Sequence, residues 1–265
     1  MKVAVSAGAQ PIVVGEIWVS DETGAAVPRD RRPMEKAELE RIVFEAFRAQ
    51  GGRQKTAASG RLQVRVAVAT RKKHESFVAV SGVLSLDDDR FEANAIGFRP
   101  VPKGEGADRT YREIVERAVR DTVESLALKV RVPKLPVDQL VALLKSRPDG
   151  GAEGERRLIA ANELAERRDP AHFDLFVALL KDDEPAVARR AVGALVSLKD
   201  ARAVNPLIDF AARKDPQTLR EVIYALGDLG GAKAEAFLWT LEKGHEHPAI
   251  RQAAHDAIDL LKKKR

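Results

Sequence analysis

Residues Pro170 to Asp200 superpose on residues Ala201 to Gly231 at a constant offset of 31. The offset carries Phe176 onto Leu207, Val177 onto Ile208, Pro185 onto Pro216, Ala194 onto Ala225, Leu195 onto Leu226 and Leu198 onto Leu229. A period of this length, with two apolar helical stripes per unit, specifies stacked helix pairs, because a lone pair cannot cover both stripes. Such arrays usually bind through surface shape and rarely perform chemistry. The offset therefore bears on the kind of task as well as on the fold.

The pattern extends to both sides. VDQLVALLK and GERRLIAANELAERR make an earlier pair, separated by the longer loop SRPDGGAE, and AKAEAFLWTLEKGHEHPAIRQAAHDAIDLLKKKR makes a later one. Pro185, Pro216 and Pro248 open the second helices, where a missing N–H forfeits no helical hydrogen bond. Ala160, Ala191 and Ala253-Ala254 are small where helices must cross closely. Residues 170–260 resemble HEAT-like repeats of the phycobilisome-lyase type, with DARAVNPLIDF…KDPQTLREVIYALGDLG at Asp200 to Gly230 following the family pattern. The resemblance implies an α-solenoid of about four helix pairs. It also implies an arginine after each turn. The corresponding positions are Ala188, Leu219 and Arg251, so only Arg251 keeps it.

Ahead of the repeats the periodicity alternates between 2 and 3.6. IVVGEIWVS (Ile12 to Ser20) reads as one strand, with Trp18 in the core. PMEKAELERIVFEAFRAQ places Leu39, Ile42, Val43, Ala46 and Phe47 on one helical face, with Pro33 in the first turn and Gly51-Gly52 as the stop. RLQVRVAVAT alternates, and SFVAVSGVLSL and RFEANAIGF follow across polar turns, which predicts an antiparallel meander with one covered face. YREIVERAVRDTVESLALKV is a second amphipathic helix. The order strand–helix–strand–strand–strand–helix predicts an α+β domain over residues 1–133, followed by the all-α repeats over 134–265. VRVPKLP (Val130 to Pro136) reads as a short, stiff linker. The amino-terminal order also resembles the α/β domains of bacterial envelope lipoproteins.

The net charge of +5 divides unevenly. Residues 1–133 carry 23 basic and 19 acidic side chains, and residues 134–265 carry 22 and 21. Lys262 to Arg265 supply four of the latter cations, so the repeats themselves stand at −3. A solenoid that tracks phosphates should be clearly basic. There is no cysteine, which excludes disulfides, thiolate catalysis and zinc–thiolate sites. That suits the cytosol and a bacterial periplasm alike. MKVAVSAGAQ is too short for the apolar region of an export signal.

Few residues point to chemistry. His245, Glu246, His247 and His255 invite comparison with the deoxyhypusine hydroxylases, HEAT-like enzymes that bind iron through His-Glu pairs. The corresponding positions, Arg190, Glu221 and Gln252, supply no second pair, so an exposed interhelical loop is the expectation. No Gly-x-Ser-x-Gly elbow and no phosphate loop is present; GRQKT and PKGEG read as charged surface loops. Asp182-Asp183-Glu184 suits a helix N-terminus. Trp239 falls in the apolar stripe of a first helix and is expected in the core.

These features predict a non-enzymatic scaffold or adaptor that needs no cofactor or metal. Its protein partner would lie along the concave face formed by the second helices, touching Arg189, Arg220, Tyr224, Arg251 and Gln252. Nucleic-acid binding is the alternative, followed by a lyase or hydroxylase relative. The amino-terminal domain is expected to make a second contact, as a homodimer through an open sheet edge or with an assembly partner.

Overall fold

A computed structural model describes residues 10–22, 34–71, 75–100, 107–146, 152–212 and 215–264. The chain divides into two compact units, Met1–Leu135 and Pro136–Arg265. The first is α+β and the second all-α.

The segment expected to form one strand is two. β1 (Ile12–Val14) pairs in parallel with β3 (Gly52–Gln54), and β2 (Glu16–Asp21) pairs in parallel with β4 (Arg61–Arg71). Gly15 makes the break. Its N–H donates to the carbonyl of Gly60 at 2.7 Å, and a Cβ there would come within 2.1 Å of the carbonyl oxygen of Ala58. No other residue fits so close a backbone approach. The break also shifts the alternation by one residue. Ile12 and Val14 are buried before it, Val19 is buried after it, and Trp18 turns outward at 60% exposure. The core placement expected for Trp18 fails for that reason. β3 was not anticipated, and it takes in part of GRQKT, read from sequence as a loop.

β4 continues into an antiparallel meander with β5 (Glu75–Leu86) and β6 (Asp89–Pro100), giving the mixed order β2-β4-β5-β6. Leu62, Val64 and Val66 of β4 and Val78, Val80 and Leu84 of β5 point to one buried face. Helices α1 (Lys36–Ala49) and α2 (Ala107–Arg131) cover it. α1 buries the five residues its periodicity singled out. α2 buries Tyr111, Ile114, Val115, Ala118, Val119, Thr122, Val123 and Leu126. Gly82 lets α2 approach β5, since a Cβ would sit 2.7 Å from Thr122 Cγ2. The proposed linker is shorter than expected, because α2 runs to Arg131 and a 3-10 turn takes Val132–Lys134, with Val132 buried. Pro33, the RKKHE turn between β4 and β5, the SRPDGGAE loop and PKGEG lie wholly or mostly outside the described residues.

The second unit holds α3 (Val137–Lys145) with α4 (Ala152–Arg167), α5 (Phe173–Leu179) with α6 (Pro185–Ser197), α7 (Val204–Ala211) with α8 (Pro216–Leu229), and α9 (Ala232–Gly244) with α10 (Pro248–Lys264). Each pair packs internally, and the second helices pack in succession, α4 on α6, α6 on α8 and α8 on α10. Ala160, Ala191 and Ala254 are fully buried at these crossings. The register recurs in the backbone as well. Arg168, Lys199 and Gly230, spaced by 31, all have positive φ, at 51°, 52° and 70°. After the first two come Asp169 and Asp200, whose carboxylates accept from Ala171 N and Arg202 N and start the next turn of helix. Trp239 is 39% exposed on α9, not core, with Lys243 and Lys262 over its ring at 5.3 and 5.8 Å. Among the described residues no helix is long and apolar enough to cross a membrane.

Candidate partner-binding face

Proline at the first position of α6, α8 and α10 fixes the phase of each second helix. In α8 the start is reinforced by Asp215, which accepts from Gln217 N at 3.0 Å and Thr218 N at 3.1 Å and from Thr218 Oγ1 at 2.7 Å. The Thr218 hydroxyl and amide hold the Asp215 carboxyl below the usual carboxylate range. With the phase set, Val187 and Ala188, Thr218 and Leu219, and Ile250 turn inward. The residue four places after the proline turns outward, which puts Arg189, Arg220 and Gln252 in one row across packed helices.

Most arginines of the second helices are engaged inside the unit. Arg156 pairs with Glu153 at 3.4 Å, Arg167 with Glu163 at 3.1 Å and Arg190 with Glu166 at 2.8 Å. Arg157 is buried, forks onto Asp182 and donates from Nη2 to the carbonyl of Leu144 at 3.0 Å. Arg251 donates to the carbonyls of His245 at 2.7 Å and Glu246 at 3.0 Å. Arg189 and Arg220 differ: both are exposed, and neither has a partner among the described residues.

One turn further along lie Asn162, Gly193, Tyr224 and Asp256, at equivalent places on α4, α6, α8 and α10. Tyr224 is 43% exposed. Gly193 leaves open space at its place on α6, since the nearest atom to an added Cβ would be Arg190 Nη1 at 3.9 Å. The acidic side chains Glu166 and Asp228 lie at the C-terminal ends of α4 and α8.

Of the five residues singled out from sequence, Arg189, Arg220 and Tyr224 present polar groups with no partner among the described residues. Arg251 is tied to the α9–α10 loop, because its Nη1 donates to both loop carbonyls. Gln252 is exposed, with its amide donating to Asp256 at 2.8 Å. The role of Arg157 was missed. It stands 31 residues before Ala188, at the place in the first pair where the resemblance read from sequence implies an arginine. Two of four units keep that arginine, not Arg251 alone. Asp182, read from sequence as a helix-dipole residue, is its buried counter-ion.

The histidines form an interhelical loop and its flank. His245 and His247 stand 5.6 Å apart, and His255 Nδ1 lies 2.7 Å from Glu242 Oε1. That hydrogen bond is the main cause holding the Glu242 carboxyl below its usual range. Among the described residues no group of three or more His, Asp or Glu side chains converges on a metal position.

A family model described as HEAT repeats matches residues 137–227. Residues 137–227 are thus a HEAT-like helical-repeat region, of the kind that commonly serves as a protein-interaction scaffold. The match begins one pair earlier than the resemblance read from sequence and takes in α3 and α4. No curated protein matches the chain.

Proposed function

We propose that the chain is a non-enzymatic adaptor that holds a protein partner on the concave face of its stacked second helices, centred on α6 and α8. The observation that carries this reading is the contrast among arginines. Arg189 and Arg220 keep their donors free, one repeat apart and next to an exposed tyrosine, while their neighbours are consumed by internal pairs. Arginine and tyrosine are the side chains that most often anchor protein interfaces. A binding role suits these groups better than a catalytic one, because a shallow solvated face does not exclude the water that weakens catalytic electrostatics. Self-association through a sheet edge belongs to the same proposal. β6 is the less suitable edge, since a register shift near Ala79 interrupts it and Lys129 donates to the Glu92 carbonyl.

The test is capture of a partner by the tagged full chain and by an Arg189→Glu plus Arg220→Glu variant. Capture that survives both reversals sinks the proposal. Nucleic-acid binding is the second reading, favoured only by the same two arginines. It predicts retention of duplex or single strands with a steep salt slope.

A further inference from the structure

We infer that the α6–α8 face takes an extended acidic segment of its partner, held by two carboxylates three residues apart with a ring between them. The inference rests on the adaptor reading and adds the chemistry of what is held.

Charge comes first. Arg189 and Arg220 are fork-shaped donors with no internal acceptor among the described residues, so a carboxylate can meet each one bidentately. Asp228 lies near the far end of α8, and Asp256 stands midway along α10, one turn beyond Gln252 and hydrogen-bonded to it. A partner carrying carboxylates is therefore drawn to the arginine pair of α6 and α8 and repelled from α10 and from the far end of α8, which fixes its lateral position.

Spacing comes second. Packed helices lie about 8–10 Å apart, so equivalent side chains on α6 and α8 recur at that interval. A polyproline II segment rises about 3.1 Å per residue with three residues per turn, which returns the same face every ~9 Å. Carboxylates at positions one and four of such a segment match the two guanidinium groups without bending either chain. Intervening residues point away from the row. One of them leans over the next row, where Gly193 of α6 carries no side chain and Tyr224 holds the equivalent place on α8. A proline ring there would lie against the phenol face, the pairing used wherever aromatic grooves receive proline-rich segments.

The probe is a fluorescent peptide with the core Glu-Pro-Pro-Glu, titrated into the full chain at low salt and followed by anisotropy. Binding is expected, weakened roughly tenfold by Arg189→Ala or Arg220→Ala, less by Tyr224→Ala, and reduced by added salt. The same peptide with Lys for Glu should not bind, and Glu-Glu-Pro-Pro should bind more weakly. Equal binding of all three peptides overturns the inference, as does binding that ignores both arginines, or a duplex oligonucleotide that outcompetes the peptide at physiological salt. The two readings fail separately. If partner capture still depends on Arg189 and Arg220 while Glu-Pro-Pro-Glu does not bind, only the chemistry assigned here falls. If neither capture nor peptide binding responds to the arginines, both fall.

Discussion

At the scale of single residues, the second unit is held by polar contacts that look alike in sequence and differ sharply in cost. Arg157 and Asp182 expose only 4% and 7% of their side chains, so removing one leaves the other charge buried and unpaired. Arg157→Ala should destabilise the unit by about 3–5 kcal/mol, read from chemical denaturation. Replacing both partners with apolar residues should cost far less, and equal losses for the single and double variants would contradict this account. Asp215 makes a pH-dependent contribution. Its folded-state pKa is depressed, so its stabilising effect is present above the unfolded carboxylate range and lost as pH falls through the folded value. The melting-temperature gap between the chain and an Asp215→Asn variant should therefore be largest near neutral pH and close in acid. Arg157 was within reach of the sequence, because the 31-residue offset runs back to it from Ala188. The longer loop between α3 and α4 hid that register. Its salt bridge was not within reach, since nothing in the chain pairs residue 157 with residue 182 until α4 and α6 stack.

At the scale of elements, periodicity read the helices well and misread the first strand. The stripes of α1 and α2 repeat over many residues, so one wrong position does not move the face. β1 and β2 are short, and one glycine reverses their alternation. Gly15 looks like any strand glycine until Ala58 is placed against it, and Trp18 was misassigned with it. The helix ends carry a signal that was present but unread. Lys199 aligns with Gly230, and both have positive φ. A side chain at such a position costs about 1–2 kcal/mol in the left-handed region, while glycine there is nearly free of strain. Lys199→Gly should accordingly raise the stability of the second unit by about 1 kcal/mol by thermal melting, and Arg168→Gly should add to it independently. A loss of stability from either change would show that the lysine or arginine side chain makes a contact worth more than the strain.

At the scale of the whole molecule, the chain divides into two compact units. Among the described residues, a buried cluster of the first runs from Ile12 to Val130, and the second buries apolar stripes along its stacked pairs. A fragment of residues 136–265 is therefore expected to fold alone, with a helical circular-dichroism spectrum and a cooperative melt; a featureless melt would count against it. The division between Leu135 and Pro136 falls within VRVPKLP, where the periodicity changes, although the 3-10 turn at Val132–Lys134 left no signal in the sequence. The candidate face was legible only in outline, because which arginines stay free depends on which carboxylates the stacking brings near. The constant register of α6 and α8 has one more consequence. If a copy of residues 201–231 were inserted in tandem, a third guanidinium would stand in line with the first two, at the same step. The wall would then act as a ruler, measuring a longer ligand by whole repeats.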